Sequence, residues 1–262
     1  VGEIIMYLGI IIVLILIISA VLLLFLKEKQ RYKVYFVKYM KCMICIFAII
    51  VFIYTFNWII PLRSSLLGKG GEVENYIERI NKKDNIEHLK TIRTYIVENL
   101  NELVDEVPRD SDGSIIYSEK SETEKKVALA MQGLSDEFPR LSGFYPRLKF
   151  ALCSELLNYM WIGGYTYPYT MEVTGSKYTD KLYYPSLYAH ESAHHQGFYR
   201  ENEANLFEYL ACINSDDKVI QYSGYLSMYY YIDDAYCLLL SDADDDELWE
   251  EYDKVQVTEQ VW

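Results

Sequence analysis

The stretch His190-Glu191-Ser192-Ala193-His194 carries two histidines four positions apart, and a glutamate directly follows the first. Residues four apart share a face of an α-helix, so both imidazoles can bind one Zn²⁺ ion. Glu191 lies on the neighbouring face, from which it can reach a metal-bound water. Pro185 favours the first turn of this helix, and Gly197 can take the positive φ that ends it. The sequence therefore predicts a helical zinc site just before Gly197.

The next stretch, Glu201-Asn202-Glu203-Ala204-Asn205, begins a second helical pattern that is predicted over residues 201 to 212. A carboxylate is a usual third ligand of catalytic zinc, and Glu201 is the preferred candidate. Glu201 shares a helix face with Asn205, whose amide can hydrogen-bond a ligand histidine and fix its ring. Glu203 is the alternative third ligand, and Glu208 is a weaker third option.

This block resembles the zinc site of zincins. The pair HExxH and Glu-x-x-Ala-Asn, which starts at Glu201, is similar to gluzincins such as the CaaX prenyl endopeptidases and the ImmA/IrrE-type peptidases. In those families the matching glutamate binds zinc. The longer pattern through Gly197 and Arg200, with Tyr222-Ser223-Gly224-Tyr225 downstream, is similar to a bacterial family of uncharacterised, membrane-anchored HExxH proteins. The gap between His194 and Glu201 is shorter than in most gluzincins, and the Gly197 spacing resembles that of metzincins.

The N-terminal part of the chain predicts a membrane anchor over residues 1–62. Residues 4–26 and 43–60 are apolar runs long enough to cross a hydrocarbon core of roughly 30 Å, and both are predicted to be transmembrane helices. The loop between them is basic and is therefore predicted to be cytoplasmic. Residues 63–71 then form a linker, and residues 72–262 form an extracytoplasmic domain. We expect a multi-pass protein of the bacterial cell membrane, held in the lipid bilayer by both helices.

The charge of the chain excludes one class of partner. The net charge is −13, and the first 62 residues hold six of the 25 basic residues and two of the 38 acidic ones, so the remainder carries −17. A domain this acidic is not expected to bind nucleic acid or anionic lipid headgroups. A peptide or protein substrate is the expected partner, and the sequence leaves the oligomeric state open.

The predicted fold class is mainly α: two transmembrane helices followed by a helical, zincin-like domain with a small β-hairpin. Residues 146 to 160 are predicted to form one helix with a buried apolar stripe: Leu148, Ala151, Leu152, Leu156 and Tyr159. The hairpin is predicted from a strand over 165 to 173, a turn at Thr174-Gly175-Ser176 and a second strand over 177 to 184. Its first strand would be an edge strand, because Pro168 lacks an N–H. The resemblance to zincins implies that this edge strand holds an extended substrate.

These features predict a membrane-anchored zinc metallopeptidase that hydrolyses extracytoplasmic or juxtamembrane proteins. Glu191 would be the general base, and the Tyr222 phenol is a candidate donor to the oxyanion at the scissile carbonyl. Two alternatives stay open: a non-catalytic zinc-binding membrane sensor or partner-binding module, and a zinc amidase that acts on cell-wall peptides. The presence of Glu191 argues against the first alternative, because a zinc ligand is not needed at that position.

Overall fold

The structure, a computed structural model, describes residues 2–25, 29–63, 82–243 and 245–258. It is mainly helical, as predicted, with two apolar N-terminal helices and a small three-stranded sheet. In chain order, the helices are α1 (Gly2–Phe25), α2 (Lys29–Tyr54), α3 (Lys82–Glu106), α4 (Lys120–Gly133), α5 (Ser154–Tyr159), α6 (Tyr184–His195), α7 (Glu201–Ile213), α8 (Lys218–Ala243) and α9 (Asp246–Asp253). The strands are β1 (Lys149–Phe150), β2 (Gly164–Tyr167) and β3 (Glu172–Gly175).

Helices α1 and α2 are each long and apolar enough to cross a membrane. After Tyr54, α2 continues through a π-helical turn and a last α-helical turn, which we call the α2 tail (residues 55 to 62). Helix α2 already begins at Lys29, so the predicted basic loop is for the most part the first half of this helix. The reason is that its lysines and arginine are good helix formers and no glycine or proline interrupts them. The predicted linker, apart from Arg63, and the start of the domain lie outside the described residues.

The described part of the domain has three hydrophobic clusters, of which two are large. The first joins α4, α6 and α7, and in it Ala189 and Ala193 of α6 pack with Ala204 and Phe207 of α7. The three alanines let the two helices approach closely. The second cluster fills the space between α3 and α8. Helix α6 is buried along most of its length, which fixes the positions of His190 and His194.

The sheet has the order β1-β3-β2, with β2 as an antiparallel edge strand and β1 parallel to β3. The predicted hairpin exists, but its position is wrong: the turn lies at residues 168 to 171, and Thr174 pairs with Tyr165 inside the ladder. Pro168 ends β2 because it cannot donate to the ladder. The N–H of Met171 closes the turn on the Tyr167 oxygen at 2.7 Å, with Met171 at φ 54°.

The predicted helix over residues 146 to 160 is also wrong, because the backbone there joins the sheet first. The Leu148 N–H donates to the buried Glu124 carboxylate at 3.1 Å, and the Ala151 N–H donates to the Gly175 oxygen at 2.9 Å. Only Ser154–Tyr159 is helical. Leu148 and Ala151 are buried as predicted, whereas three residues of the predicted stripe are exposed: Leu152, Leu156 and Tyr159.

Candidate metal centre

Three side chains meet where α6 ends and α7 begins. Nε2 of His190 lies 3.2 Å from Oε2 of Glu201, and Nε2 of His194 lies 3.6 Å from its Oε1. One ligand atom from each of the three residues lies within 4.8 Å of the other two. Glu201 is the first residue of α7, so the short turn after Gly197 returns it to the histidines.

The spacing of these atoms is close to that of a tetrahedral zinc site. Bonds of about 2.0 Å at tetrahedral angles place neighbouring ligand atoms about 3.3 Å apart. The two histidines lie 3.2 and 3.6 Å from different oxygens of Glu201, and a set with one atom per residue lies within 4.8 Å. Two imidazoles and a carboxylate also match the three-ligand set of catalytic zinc sites, which keep a fourth position open. His190, His194 and Glu201 are therefore suited to hold Zn²⁺.

Glu203, the alternative third ligand, does not belong to this group among the described residues. Two residues along a helix correspond to about 200° around its axis, so Glu203 points away from the histidines when Glu201 points toward them. The side chain of Glu201 is 76% exposed and that of His194 only 5%. The cluster is therefore open to solvent on the side of Glu201.

The second ring nitrogen of His194 has a partner that fixes its tautomer. Nδ1 lies 2.8 Å from the backbone oxygen of Phe198, which can only accept, so Nδ1 carries the proton and Nε2 offers its lone pair to the cluster. This oxygen is in place because α6 ends in a Schellman turn. Gly197 has φ 95°, and the Phe198 N–H donates to the Ala193 oxygen at 3.0 Å. The helix end predicted at Gly197 is confirmed.

His190 is supported by a residue other than the one predicted. Its Nδ1 lies 3.2 Å from Oε2 of Glu208, which is buried. Asn205 does not take this position: within the described part of the chain, its Oδ1 atom is buried without a hydrogen-bond partner. Glu208 lies seven residues, or two helical turns, after Glu201 and so shares its face of α7. The i,i+7 spacing from Glu201 to Glu208 is the sequence feature that could have predicted the contact of Glu208 with His190.

Glu191 lies beside the cluster as a buried carboxylate. The side chain of Glu191 is oriented by Thr166 of β2, whose Oγ1 lies 3.0 Å from Glu191 Oε2 and 2.8 Å from its backbone oxygen. Burial raises the pKa of the Glu191 carboxyl, and the two neighbouring histidines oppose this effect. A carboxylate with a raised pKa is a better proton acceptor near neutral pH.

The charges around the cluster favour a cation. Burial opposes protonation of His190, but the carboxylates of Glu201 and Glu208 outweigh it and raise the pKa of the imidazole to about 10. The imidazoles of His190 and His194 in turn hold the pKa of the Glu201 carboxyl far below its usual range. The donor set therefore combines nitrogen ligands with surrounding negative charge, which suits a divalent metal ion.

A cavity of about 380 Å³ lies in front of the cluster. One wall consists of Gly164, Tyr165 and Thr166 of β2, and His190 and Glu191 form its floor with the other cluster residues. The opposite wall comes from the apolar helix α2 and its tail, through Tyr54 and Trp58. The cavity is therefore built jointly by the domain and by the end of the second apolar helix.

Several contacts attach the α2 tail to the domain. The ring centroid of Trp58 lies 6.2 Å from that of His194 and 4.8 Å from that of Tyr199, which it meets edge-on. Asn57 donates through Nδ2 to the backbone oxygen of Pro168 in the hairpin turn, at 3.1 Å. Sequence reasoning missed this wall because the contacts join residues more than a hundred positions apart.

A family profile described as "Protein of unknown function (DUF3810)" matches residues 1–255. The chain belongs to the DUF3810 family. The match covers both apolar helices and nearly the whole domain, so the family extends over the complete cavity described above. No curated protein and no solved structure matches the chain. The description of DUF3810 assigns no activity, so the function is argued from the site itself.

The structure of this DUF3810 member does not bring the predicted Tyr222 into the cavity. Tyr222 is 1% exposed and packs in the cluster between α3 and α8, since it lies on the face of α8 turned toward α3. Tyr231 lies nine residues after Tyr222 and therefore on the opposite face of α8. Burial is the largest cause of the raised pKa of its phenol, followed by the charge of Glu208, with a further contribution from Glu201. Tyr231 is therefore the candidate phenol that sequence reasoning missed.

Proposed function

We propose that the chain is a membrane-anchored, zinc-dependent metallopeptidase. The observation that carries the proposal is the buried Glu191 carboxylate beside the group His190, His194 and Glu201, in a cavity open to solvent. The three-residue group supplies the protein ligands of a catalytic zinc site. Glu191 is not needed as a ligand, and its position is that of a proton acceptor. These residues also have the roles that the resemblance to gluzincins implies.

Each residue has a defined task in peptide hydrolysis. Zn²⁺ at this site would polarise the scissile carbonyl and lower the pKa of the attacking water. Glu191 takes the proton of that water and later donates it to the leaving amine. Thr166 holds the Glu191 carboxylate in place through the contact at 3.0 Å. Phe198 and Glu208 keep the Nδ1 atoms of the histidines engaged, so the Nε2 atoms would be available to hold the metal.

The cavity wall formed by Tyr54 and Trp58 favours a juxtamembrane substrate. These residues end the second apolar helix, so a bond cleaved beside them lies close to the membrane surface. The start of α1 and the α2 tail both contact the domain, whereas the basic residues lie at the other end of the helical pair. This arrangement supports an extracytoplasmic domain on a bacterial cell membrane, because basic segments remain on the cytoplasmic side.

The cavity also bears on the two alternative functions. A non-catalytic zinc module gives no reason for a buried carboxylate that the metal does not use, because burial of a charged group is unfavourable. A zinc amidase that acts on cell-wall peptides would use the same residues in the same roles. Activity measured on peptides and on peptidoglycan fragments distinguishes the peptidase from the amidase.

The experiment that tests the proposal combines metal content with turnover in the purified full-length chain. We expect one zinc per chain in the wild type and in Glu203→Ala, and loss of zinc in His194→Ala and Glu201→Ala. Glu191→Gln should keep zinc and lose turnover of a pool of quenched fluorescent peptides. A wild-type chain that binds no zinc after reconstitution would refute the metal site, and turnover by Glu191→Gln would refute the role of this residue.

A further inference from the structure

The segment around α5 presents large apolar side chains to the outside of the domain. Leu156, Tyr159 and Met160 recur at intervals of three and four and therefore share one face of the helix. The exposed fractions, including those of the two flanking residues, are 70% for Leu152, 55% for Leu156, 83% for Tyr159, 55% for Met160 and 94% for Trp161. We call these five residues the α5 patch. The opposite face of the helix is buried, so the helix is packed on the domain and the patch is its outer face.

Trp161 occupies a backbone position that normally belongs to glycine. It has φ 58° and follows the last turn of α5. The Trp161 N–H donates to the Asn158 oxygen at 3.1 Å, and the Ile162 N–H donates to the Leu157 oxygen at 2.9 Å. These two bonds form a Schellman motif, in which glycine is usual because other residues are strained at positive φ. Trp161 accepts this strain although its indole contributes almost no packing inside the domain.

The α5 patch lies next to the beginning of the first apolar helix. The Leu152 N–H donates to Oε2 of Glu3 at 2.8 Å, and the Cys153 thiol donates to Oε1 of Glu3 at 3.3 Å. The neighbouring Gly2 N–H donates to Glu172 at the start of β3, at 2.7 Å. The patch is therefore continuous with the end of a helix that is apolar enough to cross a membrane.

We infer that the α5 patch binds the interface of the lipid bilayer and seats the domain on the membrane. Tyrosine and tryptophan rings favour the headgroup level, where one part of the ring meets hydrocarbon and the polar part meets water. Apolar faces of this kind insert about 5–10 Å into the boundary between headgroups and acyl chains. A large exposed apolar patch on a domain otherwise rich in charge marks such an interaction surface.

The patch binds lipid through apolar area and not through charge. None of its five residues is basic, and the chain has a net charge of −13. Glu155, the acidic side chain of α5, lies 3.7 Å from Lys177, so its charge is offset at the edge of the patch. Contact with zwitterionic lipid is therefore expected to be at least as strong as contact with anionic lipid, which an acidic domain repels.

The position of the patch also sets the height of the cavity above the membrane. Trp161 lies three residues before Gly164, which begins β2 and lines the cavity. With the patch in the interface, and with Trp58 at the end of the second apolar helix, the opening of the cavity lies at the level of the lipid headgroups. The docking surface itself does not depend on the proposed peptidase activity.

The test uses the full chain reconstituted in phosphatidylcholine vesicles. Trp161 is its only tryptophan, because phenylalanine replaces Trp58, Trp249 and Trp262. We expect phosphatidylcholine brominated near the carbonyl end of its acyl chains to quench Trp161, and aqueous iodide to have little effect. Added phosphatidylglycerol should not increase this quenching. The matched control has Trp249 as the only tryptophan, because Trp249 packs with α8 and outside the patch. We expect no quenching of Trp249 by the brominated lipid.

A second variant places the tryptophan reporter at another position of the α5 patch, in a chain that is expected to fold. Trp161→Gly places glycine at the position that favours it, so folding should be kept, and Leu156→Trp then moves the reporter within the same patch. This reporter should also be quenched by the brominated lipid. Quenching of both reporters by iodide and not by lipid would overturn the inference. Shielding from both quenchers that varies with the protein-to-lipid ratio would also overturn it, because a second copy of the chain would then cover the patch.

Discussion

Oε2 of Glu208 lies 3.2 Å from Nδ1 of His190, on the side of the ring opposite to Glu201. The carboxylate is 5% exposed, so its charge acts on the imidazole with little screening by water. Such a contact orients a ligand histidine and increases its basicity. Glu208 therefore supports the metal site without belonging to the ligand group.

Glu208→Ala should weaken zinc binding by about 10- to 100-fold, because partners of this kind contribute that much to metal affinity. Asn205→Ala, on the same helix, is the matched control and should change the affinity little, because Asn205 Oδ1 has no hydrogen-bond partner in the described residues. Competition with a zinc chelator of known affinity measures both variants. A larger loss in Asn205→Ala than in Glu208→Ala would contradict this assignment.

Gly164→Ala should lower turnover by about 10- to 100-fold while zinc is retained, because small displacements of a catalytic group have effects of this size. A Cβ at position 164 would lie 2.7 Å from the Thr174 oxygen and 3.0 Å from Oε1 of Glu191. Gly163→Ala is the control, since its Cβ would meet only Leu187 at 3.5 Å, an ordinary contact. Turnover and zinc content of both variants, measured side by side, check the prediction. Equal turnover in the two variants would contradict it.

The sequence predicted the parts of the site that depend on local geometry. The i,i+4 spacing fixes His190 and His194 on one face wherever α6 packs. The glycine at position 197 ends that helix, and the short turn leaves Glu201 close to both histidines. The two apolar helices could also be predicted from the sequence, because length and hydropathy alone define them.

The parts that the sequence did not reveal depend on contacts between distant segments. The cavity wall at Trp58 forms only when the α2 tail packs on α6, and no sequence pattern near Trp58 predicts that contact. Residues 146 to 160 have the apolar spacing of a buried helix, but Leu148 and Ala151 bind Glu124 and β3 instead. Tyr222 and Tyr231 cannot be told apart by residue type, since the packing of α8 alone decides which one faces the cluster.

Tyr231→Phe should lower kcat by about 10-fold or more if its phenol stabilises the oxyanion, since single donors of this kind contribute up to 10²–10³-fold. Tyr231 lies on the opposite face of α8 from Tyr222, and the charges of Glu208 and Glu201 act on its phenol. Tyr222→Phe should leave kcat unchanged, because Tyr222 is buried between α3 and α8. Peptide hydrolysis by the two variants at saturating substrate is the measurement. The reverse order of effects would restore Tyr222 as the candidate.

Trp58 should report metal binding directly, because its ring centroid lies 6.2 Å from that of His194. In a chain with Trp58 as the only tryptophan, Co²⁺ in place of zinc is expected to quench the emission strongly. The same titration in His194→Ala should leave the emission unchanged. A chain with Trp249 as the only tryptophan is the second control, because this residue packs with α8 and α9. Co²⁺ binding without quenching of Trp58 would show that the α2 tail does not form the cavity wall.

Gly224→Ala should destabilise the chain, because α7 and α8 touch at this position. A Cβ there would lie 2.3 Å from Cβ of Cys212, so the helices would have to separate, at a cost of about 1–3 kcal/mol in the free energy of unfolding. Adding Cys212→Ala to the Gly224→Ala chain should not restore stability, because alanine at position 212 keeps the Cβ that clashes. Gly133→Ala is the matched control: its Cβ would meet nothing within 4 Å, and we expect a gain of about 0.4–1 kcal/mol. Thermal unfolding of the full chain in detergent, followed by circular dichroism, measures all three variants. A stabilised Gly224→Ala variant would contradict the close approach of α7 and α8.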